Sequence, residues 1–304
     1  MTFFITPFHY TDCFSVRQIG YGSRALIPAL LIFTLFTVVP LLASLFFSFT
    51  DWNISRFYAP EFRGITNYIT LLKDPVFLHS LMNTFIFAIC TTILKTVGGL
   101  ALALLLVRKI RANNVLRTIY YAPCVLSVTV VGVLFRAILS KTGLLNNALE
   151  ALGAGGLTMD WLAHYGTAFG SVILIESWMW AGFNMFIFIS ALQAVPKDYY
   201  EYASIEGASP WVCFRKITLP LIAPSFTVVI TLGISGGLKV FDIIYVVTNG
   251  GPGFDTQVLS TYVYRSFSLG LLGESSAGSV ILCVIVMLIS FLLNRYFVAR
   301  EVEA

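Results

Sequence analysis

Long apolar segments limit the fold of this chain more strongly than any single motif. A helix that crosses a bilayer needs about 20 mostly apolar residues, because the hydrocarbon core is about 30 Å thick. Six stretches meet this requirement. They are Ala25–Phe49, Phe85–Val107, Ile119–Leu139, Phe169–Val195, Ser225–Val247 and Ser276–Val298. The sequence therefore predicts an all-α polytopic membrane protein with six transmembrane helices.

The composition and the missing motifs exclude several classes of function. Of 304 residues, 58% are hydrophobic and only 11% are charged, whereas a soluble domain carries about 25% charged residues. The chain has no G-x-x-x-x-G-K-[ST] phosphate-binding loop, no HExxH and no GxSxG. We therefore expect it not to be an enzyme, to hold no metal or cofactor of its own, and not to bind nucleic acid.

The distribution of basic residues predicts the orientation in the membrane. The loop RKIRANNVLR, residues 108–117, contains four basic residues and no acidic one. Because cytoplasmic loops are rich in Lys and Arg, this loop, both termini and residues 196–220 are expected on the cytoplasmic side. The predicted organisation is a cytoplasmic tail (1–24), one membrane domain (25–298) and a second cytoplasmic tail (299–304).

A polar interval, PKDYYEYASIEGASPWVCFRKITLP at residues 196–220, separates the fourth and fifth apolar segments. DYYEYASIE predicts a short helix, and Gly207 is placed where a left-handed C′ residue ends a helix. Ser209 and Pro210 follow as N-cap and first residue of a second helix, and Pro220 predicts the next break. The alternative is a helix held at the membrane interface by its Tyr and Trp residues.

The spacing within this loop resembles the EAA motif of ABC importer permeases. The matching positions are Glu201, Ala203, Gly207, Ile217, Leu219 and Pro220. Tyr202 stands where the family has its first alanine. FRGITNYITLL, LRTIYYAPCVLSVTVVGVLFRAILSKTGLLNNAL and FDIIYVVTNGGPGFDT are similar to segments of the maltose-type, or first, permease subunit of carbohydrate importers. The resemblance covers about residues 25–300 and implies the type I permease fold of ABC importers.

The resemblance implies a set of partners and a role. The chain would form half of the path for a neutral mono- or oligosaccharide, in the inner membrane of a bacterium or archaeon. Its partners would be a second permease, a periplasmic or extracellular solute-binding protein, and an ATPase dimer that binds ATP and Mg²⁺ and contacts the EAA loop. Two alternatives remain: a glycerol-phosphate-type ABC permease, and an ion-coupled secondary transporter, for which paired intramembrane carboxylates and inverted repeats are expected.

Two helix faces are candidate substrate sites. Glu176, Met179, Trp180 and Phe183 share one face at i, i+3, i+4 and i+7, and combine a carboxylate for hydroxyls with rings for sugar C–H groups. The alternative is an aromatic stripe that faces lipid. A second face comprises Gly233, Gly237 and Val240, and the resemblance supports both faces and adds Cys124 and Val128.

Four ionisable residues fall within the apolar segments, and such residues are candidates for function. Glu176 belongs to the first face. Lys95 is expected to snorkel or to pair with another helix, and Arg136 and Lys239 are expected to snorkel. Because neither face contains Lys or Arg, although Lys239 is adjacent, a neutral sugar is favoured over a phosphate ester.

Overall fold

The computed structural model describes residues 26–108 and 112–298. The predicted tails, 1–24 and 299–304, lie outside the described residues. The chain divides into two compact units, residues 1–43 and 44–304. The helices are α1 (Ile27–Phe47), α2 (Thr66–Lys73), α3 (Pro75–Val107), α4 (Asn113–Val125), α5 (Val128–Ile138), α6 (Leu144–Ala151), α7 (Tyr165–Ala194), α8 (Asp198–Ile205), α9 (Pro210–Leu221), α10 (Ala223–Leu238), α11 (Asp242–Val247), α12 (Leu259–Ser268) and α13 (Leu272–Val298).

The described part of the first unit belongs to α1, which has a mean hydropathy of 2.5 and no buried residue. A π-helical turn spans Thr34–Val38, and the amide of Val39 donates to the Thr34 carbonyl. Pro40 follows directly. A proline lacks the amide hydrogen of a regular helical turn and crowds the preceding turn, and the wider π turn accommodates it.

In the second unit, α3 packs along α7 and α10. At the end of α3 nearest the 196–220 loop, Leu106 packs in a buried cluster with Ile189 and Ile222. At the opposite end, Phe77 packs with Leu259 and Tyr262 of α12. Asn83 near the start of α3 bonds to Tyr165 at the start of α7, so the two long helices run in the same direction.

The membrane class predicted from the sequence is confirmed. Four helices, α1, α3, α7 and α13, are long and apolar enough to cross a bilayer, and the pairs α4–α5 and α9–α10 raise the number to six if each bent pair is one span. No strand forms within residues 26–108 and 112–298, and the β-type pairing described there is an isolated bridge between Thr50 and Phe62.

The prediction of one continuous helix over Ile119–Leu139 is wrong, because α4 and α5 meet at 95°. Pro123 weakens the last turn of α4, and Leu126 and Ser127 are extended. The bend lets α5 pack against α11. Gly132 makes this approach possible, since a Cβ there would lie 2.8 Å from the Val246 side chain.

The prediction of one continuous helix over Ser225–Val247 is also wrong. The helix α10 ends at Leu238, and α11 begins at Asp242. Glycine has low helix propensity, and Gly236 and Gly237 occupy the last turn of α10. The residues between the two helices, 239–241, thus form a short irregular segment in the second half of the predicted span.

A buried polar anchor fixes the segment that follows α11. The Asn83 side chain is fully buried on α3, and its Nδ2 donates to the carbonyls of Asp255 (2.6 Å) and Gln257 (3.0 Å). The hydroxyl of Tyr165, at the start of α7, donates to Asn83 Oδ1 at 3.0 Å. These bonds tie the 249–257 segment to α3 and α7.

Candidate functional site

A cavity of about 410 Å³ lies among α3, α5, α7, α10 and α11. Six of the nine predicted substrate-site residues line it. They are Val128, Glu176, Trp180, Phe183, Gly233 and Val240. The two predicted helix faces therefore meet at one cavity, although their residues are at least fifty positions apart in sequence.

Three predicted residues do not line the cavity. Met179 is 1% exposed and belongs to the hydrophobic core. Gly237 faces α3, where an added Cβ would lie 2.6 Å from Ala88 Cα, so its function is close helix packing. Cys124 would share a face with Val128 on one continuous helix, but the bend between α4 and α5 separates them.

An ion pair between α3 and α7 forms part of the cavity wall. Lys95 Nζ lies 2.8 Å from Glu176 Oε1, and the two side chains are 8% and 12% exposed. Pairing with another helix was one of the two expectations for Lys95, and it is confirmed. The other, snorkelling, is not needed to explain a lysine that meets a carboxylate inside the bundle.

The cavity contains more charge than the sequence predicted. Lys95 and Lys239 both line it, so the absence of lysine and arginine from the two predicted faces does not extend to the whole site. Glu176 and Asp242 supply two carboxylates, which balance the two ammonium groups. Within the described residues, no group of His, Cys, Asp and Glu side chains is arranged to hold a metal ion.

Asn184 is a cavity residue that the sequence interpretation missed. It is 6% exposed and lines the cavity, and its side chain makes no hydrogen bond to the described residues. Its position was available in the sequence, because Asn184 lies eight residues after Glu176 and extends the same helix face. An amide in an apolar span was the signal that could have identified it.

Aromatic rings complete the lining. Trp180 and Phe183 pack edge to face, with ring centroids 6.1 Å apart. Phe241 also lines the cavity, and its ring stacks on Tyr245 with centroids 5.2 Å apart. Rings that contact C–H groups, next to polar groups that contact hydroxyls, suit a ligand that is both apolar and polar.

The corner of the 196–220 loop has the predicted geometry. Gly207 follows α8 with φ +72°, in the left-handed region. The amide of Ala208 donates to the Ala203 carbonyl at 2.9 Å, and that of Gly207 to the Ser204 carbonyl at 3.1 Å. This pair of bonds is the Schellman motif, which satisfies carbonyls at the end of a helix.

The second half of the loop differs from the prediction at one point. As predicted, Ser209 is the N-cap of α9, and its Oγ accepts from the Val212 amide at 3.4 Å. The helix continues through Pro220 and breaks at Ile222, where α9 and α10 meet at 65°. A π-helical turn at Phe214–Thr218 precedes the proline, as before Pro40 in α1, and accommodates it without ending the helix.

The predicted EAA residues differ in exposure. Glu201, Gly207 and Pro220 are exposed, whereas Ala203, Ile217 and Leu219 are half-buried. Three large side chains also project from the loop: Tyr202, Ile205 and Trp211 are 70%, 81% and 67% exposed. The Tyr200 hydroxyl and Thr218 Oγ1 form a 2.9 Å hydrogen bond that joins α8 to α9.

Residues 95–301 match the family described as the binding-protein-dependent transport system inner membrane component. The chain belongs to this family. It is 33% identical over 277 residues to a probable starch degradation products transport system permease protein of Thermoanaerobacterium thermosulfurigenes, covering 91% of this chain and 93% of the relative. It is 31% identical over 278 residues to a trehalose/maltose transport system permease protein of Thermococcus litoralis, covering 91% and 93%.

A third relative is the lactose transport system permease protein of Rhizobium radiobacter, 31% identical over 277 residues, with 90% of this chain and 92% of the relative covered. Among solved structures, a bacterial ABC transporter for import of the acidic polysaccharide alginate matches with a TM-score of 0.80. It is 24% identical, and the match covers 92% of this chain and 95% of that one. At that identity the likeness shows the fold alone.

Proposed function

We propose that this chain is the permease subunit of a carbohydrate ABC importer and forms half of the translocation path. The observation that carries the proposal is the cavity, in which an ion pair, an unpartnered amide and aromatic rings face one space. Its volume of about 410 Å³ falls in the range typical of small-molecule sites. The relatives named for starch products, lactose and trehalose/maltose support the same class of substrate.

The proposed substrate is a neutral mono- or oligosaccharide. Lys95 is paired with Glu176, and with Lys239 and Asp242, which form no ion pair within the described residues, the lining contains two ammonium groups and two carboxylates. A phosphate ester would bring negative charge into a lining whose formal charges already cancel, and an uncompensated charge is costly to bury. The balance of charge therefore favours a neutral sugar over the glycerol-phosphate-type substrate.

The proposed coupling element is the 196–220 loop, which would lie on the cytoplasmic side with both termini and contact an ATPase dimer that binds ATP and Mg²⁺. Its corner is fixed by capping bonds at Gly207, so a push on α8 would reach α10 through α9. Exposed Tyr202, Ile205 and Trp211 offer the large side chains that dominate protein interfaces. A second permease and a solute-binding protein would complete the importer.

Uptake by the native host tests the substrate class. The strain lacking this gene, with and without a plasmid copy, is given radiolabelled maltose, trehalose, lactose, maltotriose and other neutral saccharides, together with glycerol 3-phosphate. We expect uptake of at least one neutral saccharide to be lost and then restored. Loss restricted to glycerol 3-phosphate contradicts the proposal, and so does ATP hydrolysis by the purified chain alone.

A further inference from the structure

We infer that Lys95, Glu176 and Asn184 form one hydrogen-bonding subsite, the polar subsite, that selects neutral saccharides by holding its two charges paired. This inference rests on the proposed function and names the groups that would contact the sugar. All three residues line the cavity, Lys95 from α3 and the other two from α7.

The ion pair leaves hydrogen-bonding capacity unused. An ammonium group has three donors, and a carboxylate has about four acceptor positions. Within the described residues, Lys95 Nζ and Glu176 Oε1 bond to each other, and neither side chain makes another hydrogen bond. The remaining donors and acceptors stand beside the cavity. A sugar hydroxyl both donates and accepts, so neighbouring hydroxyls can contact both members of the pair.

Asn184 is evidence for a hydrogen-bonding ligand that does not depend on the ion pair. The residue is 6% exposed and lies in the cavity wall, and its side-chain amide has no hydrogen-bond partner in the described residues. A buried amide without a partner costs free energy, which a ligand that hydrogen-bonds to it recovers. Gly99 fixes its position, because a Cβ there would lie 2.6 Å from Asn184 Cβ and would force α3 and α7 apart.

The pairing of the charges explains why the ligand is neutral. In a poorly solvated site, a ligand carboxylate or phosphate that binds Lys95 competes with Glu176 and leaves that side chain without its partner. A neutral hydroxyl imposes no such cost. Lys239 and Asp242 also line the cavity, and they add one charge of each sign. Removing the charge of Glu176 alone would leave the site positive and favour an anionic sugar.

The first test replaces the amide. Asn184→Ala is expected to raise the KM for the transported saccharide by about tenfold, the effect of losing one to two buried hydrogen bonds. Gln193→Ala removes an exposed amide from the same helix and is the matched control, expected to be unchanged. Uptake kinetics are measured in the complemented deletion strain, with membrane levels measured by immunoblot. An unchanged KM for Asn184→Ala overturns the subsite.

The second test changes the charge. In the wild type, excess galacturonate should not compete with uptake of the neutral saccharide, whereas in Glu176→Gln the same excess should raise the apparent KM for that saccharide by about tenfold. The double variant Lys95→Gln/Glu176→Gln is neutral again and should lose this competition. Equal galacturonate sensitivity in wild type and Glu176→Gln overturns the charge selection. If the single variant does not accumulate, competition by galacturonate in the wild type or in the double variant overturns it.

The two hypotheses fail in different ways. If the wild type transports no neutral saccharide, the proposed function fails, and the subsite fails with it. If the wild type transports such a saccharide while Asn184→Ala and Glu176→Gln keep wild-type KM and selectivity, only the subsite fails. Glu150→Gln, an exposed acidic residue outside the cavity, controls for a general effect of removing one negative charge.

Discussion

The 196–220 loop is held together by residues close in sequence, whereas the cavity is assembled from residues far apart. In the loop, Ala208 bonds to Ala203 across one corner. In the cavity, Lys95 and Glu176 are 81 positions apart and belong to different helices. A substitution in the loop should therefore alter the turn at Gly207 and leave the packing of the membrane helices unchanged. A change beside the cavity should disturb helix packing as well as the site.

The largest effect is expected at the corner of the loop. Gly207→Val places a β-branched residue at φ +72°, which costs about 1–2 kcal/mol in a left-handed conformation. Because no atom lies within 4 Å of the added Cβ, the strain acts on the backbone and not on packing. The proposed coupling role predicts that uptake falls by at least about tenfold, with the protein level in membranes unchanged.

A control variant at a second glycine distinguishes a loss of coupling from a general effect of backbone strain. Gly153 has φ +76°, is exposed, and also has open space around the position of a Cβ. Gly153→Val therefore introduces the same kind of strain at the end of α6, outside the loop, and uptake should be normal. Wild-type uptake by Gly207→Val, or equal losses in the two variants, would contradict a special role for the loop.

An intermediate effect on stability is expected beside the cavity, at two adjacent glycines. Gly237→Ala should destabilise the protein by about 1–3 kcal/mol, because the new methyl group overlaps Ala88 and the helices must separate. Gly236→Ala meets nothing within 4 Å and should stabilise α10 by about 0.5–1 kcal/mol. Thermal unfolding of the purified variants in detergent measures the difference, and equal melting temperatures would argue against the packing role of Gly237.

The same contrast explains how much the sequence could predict. The glycine corner and the Ser209 N-cap depend on neighbouring residues, so their pattern was readable, as were the apolar lengths of α3 and α7. The packing of α5 against α11, which accompanies the bend after Pro123, depends on Gly132 meeting Val246, a contact of residues distant in sequence. Local periodicity carries no signal of such a contact, and for the same reason it could not identify the partner of Lys95.

The smallest effect is expected where α8 and α9 are joined inside the loop. Tyr200→Phe removes the 2.9 Å hydrogen bond to Thr218, a residue that is 5% exposed, and should cost about 1 kcal/mol. Tyr199→Phe is the matched control, because the Tyr199 side chain is half-exposed and its hydroxyl forms no hydrogen bond to the described residues. Because the bond braces the proposed coupling element, Tyr200→Phe should lower the maximum uptake rate about twofold to fivefold while leaving KM unchanged. A raised KM would place the effect at the cavity, and identical rates for the two variants would show that the capping bonds at Gly207 hold the loop without this brace.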